Sequence, residues 1–480
     1  MVFSSTLFIF FFLPTLLLGY YLTPAKLKNL YLTLASLFFY FWGAPSFLLL
    51  FIFSSLVDYL ISILMLKFEF DKGRMKKLLI ISIVWNVGLL GYFKYFNFFI
   101  LQFGTLMADL GLTAPRFAKV ILPIGISFFT FHKISYVVDV YRKVSKPVTN
   151  FIDYLLYISF LPQLIAGPIV RYHEIESYIK ARKISVDDIY AGLVRFIIGL
   201  SKKILIADPM AQVADHAFSL KSDVLTFEYS WVGIICYSVQ IYFDFSGYSE
   251  MAIGLARIFG FKFPENFNKP YLAQSFTDFW KRWHISLSRW MKDYLYIPMG
   301  GSRTSTLKTY RNLCTVFLLS GLWHGANWTF IFWGIYHGTF LVMDRVFLEN
   351  FLNKVPKFFR VLFTYIFVLF GWVLFRSDSI NHSYTYYSAL LDISNQGIQK
   401  FIPRASVISD HGIFTLVIGL IVIFVFEARF FSQFKLSQSI HSNYPRASFV
   451  LYNLMLFVFF LLSVMMIESA NYSPFIYFQF

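Results

Sequence analysis

Several long stretches of this sequence contain no charged residue, and this feature constrains the fold more than any other. Leu7 to Tyr21, Ile80 to Phe93 and Ile413 to Phe426 are examples. Hydrophobic residues make up 58% of the chain and charged residues 14%, whereas soluble domains have about 45–50% apolar and about 25% charged residues. Since a helix needs roughly 20 apolar residues to cross a bilayer core, the sequence predicts an all-α polytopic membrane protein.

Apolar stretches long enough for a helix recur along the whole chain, and we expect about eleven of them to cross the membrane. They lie near residues 4–23, 29–43, 45–66, 78–103, 119–138, 187–206, 228–258, 312–324, 326–347, 358–375, 412–430 and 447–468. The basic residues behind the formal charge of +16 lie in short runs between these stretches, which is typical of positive-inside sorting and not of nucleic-acid binding. The densest run extends from Lys67 to Lys77, so we expect that loop in the cytoplasm and the N-terminus outside.

The segment 266–303 differs from these stretches, because charged residues recur through it at short intervals and such a segment does not cross lipid as a simple helix. Its aromatic and apolar residues at helical spacing include Trp280, Trp283, His284 and Leu287. This spacing predicts one interfacial or re-entrant helix that lines a cavity. Residues 377–411 are predicted to form a polar loop, and residues 1–480 to form a single membrane domain.

The sharpest candidate for chemistry is a histidine in an otherwise apolar segment, Ser320 to Gly334. His324 and Asn327 are three residues apart, so they would share a face of a continuous helix. A neutral imidazole at membrane depth is a natural general base, and Asn327 would orient it or stabilise an oxyanion. Interhelical hydrogen bonding explains this pattern alone equally well. His337 lies roughly 20 Å further along an unbroken helix and is expected near the membrane surface.

Two other clusters combine polar and apolar residues. Gln240 and Asp244 are four residues apart, and a carboxylate at membrane depth needs a cation or several donors nearby. Two roles are compatible with this pattern, namely interhelical hydrogen bonding and the shaping of a channel. In the second cluster, His284 is accompanied by cations that would hold a phosphate-bearing donor or extend to an anionic membrane surface. These cations are Lys281, Arg282 and Arg289.

The sequence contains no Gly-rich phosphate loop, no pair of metal-binding histidines on one helix and no serine nucleophile elbow. Its two cysteines, Cys236 and Cys314, are too few for a disulfide framework or a zinc site, and we expect no metal. The two halves lack the matching interrupted helices of an alternating-access transporter. A polysaccharide or lipid transporter, with Asp244, Glu250 and His324 along its path, is the alternative from another class.

An ordered series of motifs in this chain resembles the membrane-bound O-acyltransferase (MBOAT) family, and within it the integral-membrane component of bacterial alginate O-acetylation. The resemblance covers nearly the whole chain. Its most specific motifs are Phe279-Trp-Lys-Arg-Trp-His-Ile-Ser-Leu-Ser288 and Gly321-Leu-Trp-His-Gly-Ala-Asn-Trp328. The characteristic histidine of the family falls on His324, and the second motif histidine falls on His284.

The resemblance implies a helical bundle around a central tunnel, in which a cytoplasmic acyl thioester meets an acceptor at His324. The implied donor is acetyl-CoA. The implied acceptor is a hydroxyl of a cell-surface polysaccharide or of a partner extracytoplasmic transferase, and the implied location is the bacterial inner membrane. We expect His324 and His284 to be catalytic and Trp323, Asn327 and Asp244 to support them. D-alanyl transfer from a carrier protein to teichoic acid remains an alternative.

Overall fold

The computed structural model describes residues 2–113, 117–392, 403–426 and 446–469. These residues form helices joined by turns and loops, with no strand among them, which confirms the all-α prediction. Contacts divide the chain into two compact units. Unit 1 comprises Met1–Gly192 and Leu255–Pro264, and unit 2 comprises Leu193–Gly254 and Glu265–Phe480.

The helices follow the apolar stretches of the sequence closely. The first ten are α1 (Leu13–Leu22), α2 (Lys28–Gly43), α3 (Leu48–Lys67), α4 (Lys72–Leu90), α5 (Phe96–Asp109), α6 (Ile126–Tyr141), α7 (Phe151–Ser159), α8 (Leu161–Leu164), α9 (Tyr172–Lys180) and α10 (Val186–Ser201). They are followed by α11 (Asp208–Ser219), α12 (Phe227–Ile258), α13 (Phe276–Arg282), α14 (Ile285–Met291), α15 (Thr306–His324), α16 (Trp328–Met343), α17 (Glu349–Leu352), α18 (Lys357–Arg376), α19 (Ile380–Leu390), α20 (Arg404–Val407), α21 (Asp410–Ile421) and α22 (Arg446–Ser469).

Short turns of other helical types adjoin several of these helices. The π-helical turns are Leu7–Phe12, Gly91–Tyr95, Lys202–Ala207, Lys292–Tyr296, Asp344–Leu348 and Val422–Phe426, and the 3-10 turns are Ala25–Leu27, Pro45–Phe47 and Pro270–Leu272.

Within the described residues, four helical stretches are long and apolar enough to cross a membrane. They are Pro45–Lys67, Lys72–Asp109, Lys357–Arg376 and Phe449–Ser469, and two shorter apolar helices are Leu7–Leu22 and Asp410–Val425. The predicted count of about eleven spans is therefore not confirmed, although helices lie at or near the predicted positions. Residues 427–430 of the predicted span 412–430 lie outside the described part of the chain.

Two predicted segments differ in detail from the structure. The segment 266–303 contains two short helices, α13 and α14, instead of one continuous interfacial helix. The predicted polar loop 377–411 contains the helix α19 and the single turn α20, while residues 393–402 of that loop lie outside the described part of the chain. The apolar pattern alone did not locate these breaks and turns.

The core of unit 1 contains a fully buried ion pair between α3 and α6. Lys133 Nζ lies 3.5 Å from Asp58 Oδ2, and both side chains are almost inaccessible to solvent. Ser82 and Asn86 of α4 also donate hydrogen bonds to the Asp58 carboxylate. Because an unpaired charge is expensive at such a site, this cluster ties three helices of unit 1 together.

In unit 2, α15 and α16 pack against each other along glycines. A Cβ atom at Gly321 would collide with the carbonyl oxygen of Phe330, and one at Gly334 would collide with that of Phe317. Small residues allow this backbone approach, as they do between helices in membranes. The hairpin of α15 and α16 positions the candidate site, because the connection between the two helices begins at His324.

Candidate active site

His324 is the last residue of α15, and the chain changes direction immediately after it. Gly325 has an extended backbone, with φ −164° and ψ 153°, and α16 begins at Trp328. The prediction that His324 and Asn327 share a helix face is therefore wrong, because no helix connects them. His324 therefore lies where α15 ends and the connection to α16 begins.

Asn327 is the N-cap of α16. Its Oδ1 atom accepts a hydrogen bond from the backbone N–H of Thr329 at 3.2 Å, and its Nδ2 atom donates to the carbonyl oxygen of Asp378 at 2.9 Å. A capping asparagine satisfies N–H groups that have no partner within the helix. The contacts of Asn327 are therefore those of a residue that fixes the start of α16.

Three aromatic rings surround the imidazole of His324, whose exposed fraction is only 5%. The centroid of the His324 ring lies 4.8 Å from Trp323, 4.9 Å from Trp333 and 5.0 Å from Phe375. All three pairs have edge-to-face geometry, which is favourable for aromatic rings. The residue that we expect to carry the chemistry thus lies in an enclosed aromatic environment.

His337 occupies a different place from the one predicted. It is fully buried, and the centroid of its ring lies 4.8 Å from that of Trp333. The ring of Trp333 also contacts His324, at 4.9 Å between centroids. The assumption of an unbroken helix between His324 and His337 is wrong, because α15 ends at His324 and α16 begins at Trp328. The hairpin instead brings His337 back toward the same aromatic cluster.

His284 lies at the break between α13 and α14 and adopts a left-handed backbone, with φ 44° and ψ 55°. Its exposed fraction is 1%. Its Nδ1 atom lies 3.1 Å from Oδ1 of Asn266, and its ring contacts Phe245 at 4.7 Å between centroids. His284 is therefore held rigidly by a residue that precedes α13.

His284 lies outside the stretches that are long enough to cross a membrane. Burial lowers the pKa of its imidazole to about 3, so the ring is neutral at the pH of a cell. A neutral imidazole has one N–H donor and one nitrogen acceptor. Any role of His284 in the reaction therefore uses an uncharged ring.

Trp323 links the two candidate histidines. Its ring centroid lies 4.8 Å from that of His324 and 6.2 Å from that of His284. The structure thus brings together His284, Trp323 and His324, which come from two motifs of the sequence. The ring of Trp323 is therefore a neighbour of both imidazoles.

The three cations predicted to bind the acyl donor differ in their exposure and in their ion pairing. Lys281 and Arg289 are exposed, whereas Arg282 is half-buried and its Nε atom lies 2.7 Å from Oδ1 of Asp278. An exposed cation is available for a phosphate, and one already paired with a carboxylate is partly neutralised. A role for Lys281, Arg282 and Arg289 in donor binding stays a prediction.

The buried carboxylate of Asp244 lies beside the ammonium group of Lys203. Lys203 Nζ lies 2.9 Å from Oδ1 of Asp244 and 2.7 Å from Oδ1 of Asp208. The side chains of Lys203 and Asp244 are 5% and 2% exposed. This pairing favours a structural role for Asp244, because a nearby ammonium group offsets part of the cost of burying a carboxylate.

Two residues of this region were missed by sequence reasoning. Lys203 could have been noticed, because it interrupts the apolar stretch 187–206. The contact of Asn266 with His284 could not be predicted from the sequence. Asn266 lies 18 positions before His284 in a polar connection, and the two side chains come together only in the folded chain. Across the described ranges, no three His, Cys, Asp or Glu side chains are grouped so that they could hold a metal ion.

Comparisons with known proteins identify the family of this chain. Residues 116–386 match the model of MBOAT, the membrane-bound O-acyltransferase family. The probable alginate O-acetylase of Azotobacter vinelandii is 38% identical over 503 residues, which cover 100% of both chains. The peptidoglycan O-acetyltransferase of Helicobacter pylori is 38% identical over 442 residues, covering 85% of this chain and 82% of that protein.

A more distant relative is the teichoic acid D-alanyltransferase of Bacillus subtilis, 28% identical over 285 residues that cover 54% of this chain and 70% of that protein. The matched residues 116–386 include both His284 and His324. These similarities support an enzyme and not a transporter. The chain belongs to the membrane-bound O-acyltransferase family and is an integral membrane O-acyltransferase.

Proposed function

We propose that this enzyme transfers an acetyl group from acetyl-CoA on the cytoplasmic side to a hydroxyl outside the inner membrane of a bacterium. The acceptor hydroxyl belongs to a cell-surface polysaccharide, reached directly or through a partner extracytoplasmic transferase. The observation that carries the proposal is the enclosed position of His324 at the end of α15. Relatives named as O-acetylases along the full chain support the choice of acetyl.

In the proposed mechanism, the acceptor oxygen attacks the carbonyl carbon of the thioester while His324 takes the hydroxyl proton. The new C–O bond forms and the C–S bond breaks. The imidazolium of His324 then returns the proton to the departing thiolate, so that a free thiol leaves and the base is regenerated. Water must be excluded during this step, since it would compete for the acyl group, and the aromatic rings around His324 serve that purpose.

The path to His324 is part of the proposal. We propose a central tunnel through the helical bundle and assign residues 266–303 to a re-entrant or interfacial segment beside it. The exposed cations Lys281 and Arg289 would attract the phosphates of the donor. His284 and Trp323 would lie beside the reacting groups, and Asn327 and Asp244 would support the site through α16 and α12.

Acetyl transfer is tested with the purified protein in proteoliposomes. Acetyl-CoA labelled in the acetyl group is supplied on one side and a purified acidic polysaccharide on the other, with and without an extracytoplasmic transferase from the same organism. We expect label in the polysaccharide that mild base removes, because O-acetyl esters are base-labile. Label that appears only with the transferase present would identify the relay route.

The alternatives give different results in the same vesicles. Incorporation from a D-alanyl carrier protein, with none from acetyl-CoA, would contradict acetyl transfer and favour teichoic acid modification. Movement of polysaccharide without consumption of a thioester would contradict acyl transfer altogether. In cells, mass spectrometry of surface glycans from a deletion strain should show lost acetyl esters, and unchanged ester content in every glycan would count against the proposal.

A further inference from the structure

Asn266 binds three consecutive residues around the break between α13 and α14. Its Oδ1 atom lies 3.1 Å from Nδ1 of His284 and accepts hydrogen bonds from N and Oγ of Ser286, at 3.2 Å and 2.9 Å. Its backbone oxygen accepts from the N–H of Ile285 at 2.9 Å. With an exposed fraction of 1%, Asn266 is fixed inside unit 2.

These bonds determine how the amide of Asn266 is oriented. The backbone N–H of Ser286 is always a donor, so the atom that faces it must be the amide oxygen and not the nitrogen. The nitrogen Nδ2 then faces Ser249 and donates to its Oγ atom at 3.1 Å. Both ends of the amide are satisfied in this orientation, and the flipped orientation would place two donors against each other.

The tautomer of His284 follows from the orientation of Asn266. Because Nδ1 of His284 faces a carbonyl oxygen, Nδ1 must carry the proton. In a neutral imidazole the other nitrogen, Nε2, then has a free lone pair. Nε2 of His284 is buried and has no hydrogen-bond partner among the described residues, and a buried polar atom of this kind needs an explanation.

The backbone of His284 is strained, which is also typical of a functional position. A left-handed conformation is unfavourable for a residue with a side chain. Such a conformation persists only where the surroundings hold it, and the bonds from Ile285 and Ser286 to Asn266 supply that support.

We propose that Asn266 is a positioning residue of the acyl transfer reaction, which holds His284 as the Nδ1–H tautomer so that Nε2 accepts a hydrogen bond from a substrate N–H or O–H. The inference rests on the proposed function, since it places His284 beside the reacting groups. The substrate donor is an amide N–H of the acyl donor or the hydroxyl of the acceptor. His284 cannot serve as an oxyanion donor in this tautomer, because Asn266 occupies its only N–H.

The test compares Asn266→Ala with Asn266→Asp. Asn266→Ala removes the oxygen that selects the tautomer, and we expect acetyl transfer to fall by at least about 10-fold, the lower end of what loss of an imidazole-orienting partner costs at metal sites. Asn266→Asp keeps an oxygen acceptor at the same place and should recover part of the rate. The KM for acetyl-CoA and the KM for the acceptor, measured separately, show which substrate binds Nε2.

The matched control is Asn312→Ala. Asn312 is also buried and donates to the carbonyl oxygens of Met299 and Gly301, so its loss tests whether removing any buried amide lowers the rate. We expect Asn312→Ala to lose thermal stability with little change in the rate per folded molecule. A loss of rate in Asn312→Ala equal to that in Asn266→Ala would contradict a specific role for Asn266.

A spectroscopic measurement separates this inference from the proposed function. Solid-state NMR of protein with ¹⁵N-labelled histidine, with the His284 signals assigned by comparison with His284→Gln, should show Nδ1 protonated in the wild type. We expect a mixture of tautomers in Asn266→Ala and no change in Asn312→Ala. An unchanged tautomer or an unchanged rate in folded Asn266→Ala overturns the inference, whereas failure of acetyl transfer by the wild type would overturn the proposed function alone.

Discussion

Lys203 is a buried cation of unit 2 that pairs with two carboxylates. It lies within 3 Å of both Asp208 and Asp244, and removing its ammonium group would take a close cation away from two carboxylates. We expect Lys203→Met to destabilise the protein by about 3–5 kcal/mol, the cost of breaking a buried ion pair from one side. Thermal unfolding in detergent, followed by fluorescence of the tryptophans, measures the loss.

An exposed ion pair provides the comparison for Lys203. Arg404 lies 3.4 Å from Asp410, and their side chains are 67% and 96% exposed. Exposed pairs contribute about 0–1 kcal/mol, so Arg404→Met should leave the melting temperature nearly unchanged. Equal effects of the two substitutions would show that the Lys203 pairs are not desolvated as described.

At the residue scale, the sequence identified His284 and His324 but not their surroundings. A histidine in an apolar motif is visible in the sequence, whereas Asn266 reaches His284 only because the chain folds back on itself. The sequence predicted that the Asp244 carboxylate needs a cation or several hydrogen-bond donors nearby, and in the structure Lys203 lies beside it. Contacts between residues distant in sequence leave no local pattern, so sequence reasoning could not name these partners.

At the scale of helices, the close packing of α15 and α16 controls where His324 lies. A side chain at Gly334 would meet the backbone of Phe317 and Leu318, and backbone atoms cannot move aside as a side chain can. We expect Gly334→Val to destabilise the protein by about 1–3 kcal/mol through overpacking. Because the hairpin would open, acetyl transfer should fall as well, measured per folded molecule in the vesicle assay.

Gly88 is the matched control for Gly334. It lies within α4, and a Cβ atom at this position would have nothing within 4 Å. Since alanine is preferred over glycine in a helix by roughly 0.5–1 kcal/mol, Gly88→Ala should not destabilise the protein. If Gly334→Val kept wild-type stability and rate, close contact between α15 and α16 would not be needed.

The sequence around the break between α15 and α16 contains residue types that are typical of helix ends, although the spacing of His324 and Asn327 suggested one continuous helix. Gly325 follows the last helical residue and Asn327 is the N-cap of α16, and both residue types mark helix ends. Treating the segment as one helix placed Asn327 on the same helix face as His324 and His337 roughly 20 Å along an unbroken helix, and the structure contradicts both. The break at His284 had no such signal, because tertiary bonds to Asn266 stabilise it.

At the scale of the whole molecule, the apolar pattern predicted the fold class and the basic residues predict the orientation. The family model and the relatives agree with the fold class. The number of membrane-spanning helices could not be predicted from the apolar pattern. Several helices at the predicted positions are too short or too polar to meet the length and hydropathy of a simple span, since helices inside a bundle can bury polar groups against each other.

The orientation is testable with single cysteines in a Cys236→Ser, Cys314→Ser background. Lys72 and Leu112 are both exposed; Lys72 is the first residue of the helical stretch Lys72–Asp109, and Leu112 follows its end. Because the basic loop should be cytoplasmic, a membrane-impermeant maleimide should label Leu112→Cys but not Lys72→Cys in intact spheroplasts. Both should react after permeabilisation, and labelling of Lys72→Cys in intact spheroplasts would reverse the predicted orientation.

In the proposed reaction, His324 removes the proton of the acceptor hydroxyl. The most direct measurement is the rate of labelled acetyl transfer by His324→Ala and His324→Gln in proteoliposomes, with His216→Ala as a control because His216 is exposed on α11. We predict that both His324 variants melt near the wild-type temperature and lose at least about 100-fold in rate, as expected for a general base, while His216→Ala keeps its rate. A folded His324→Gln protein that transfers acetyl within about 2-fold of the wild-type rate would contradict the role of His324 as that base.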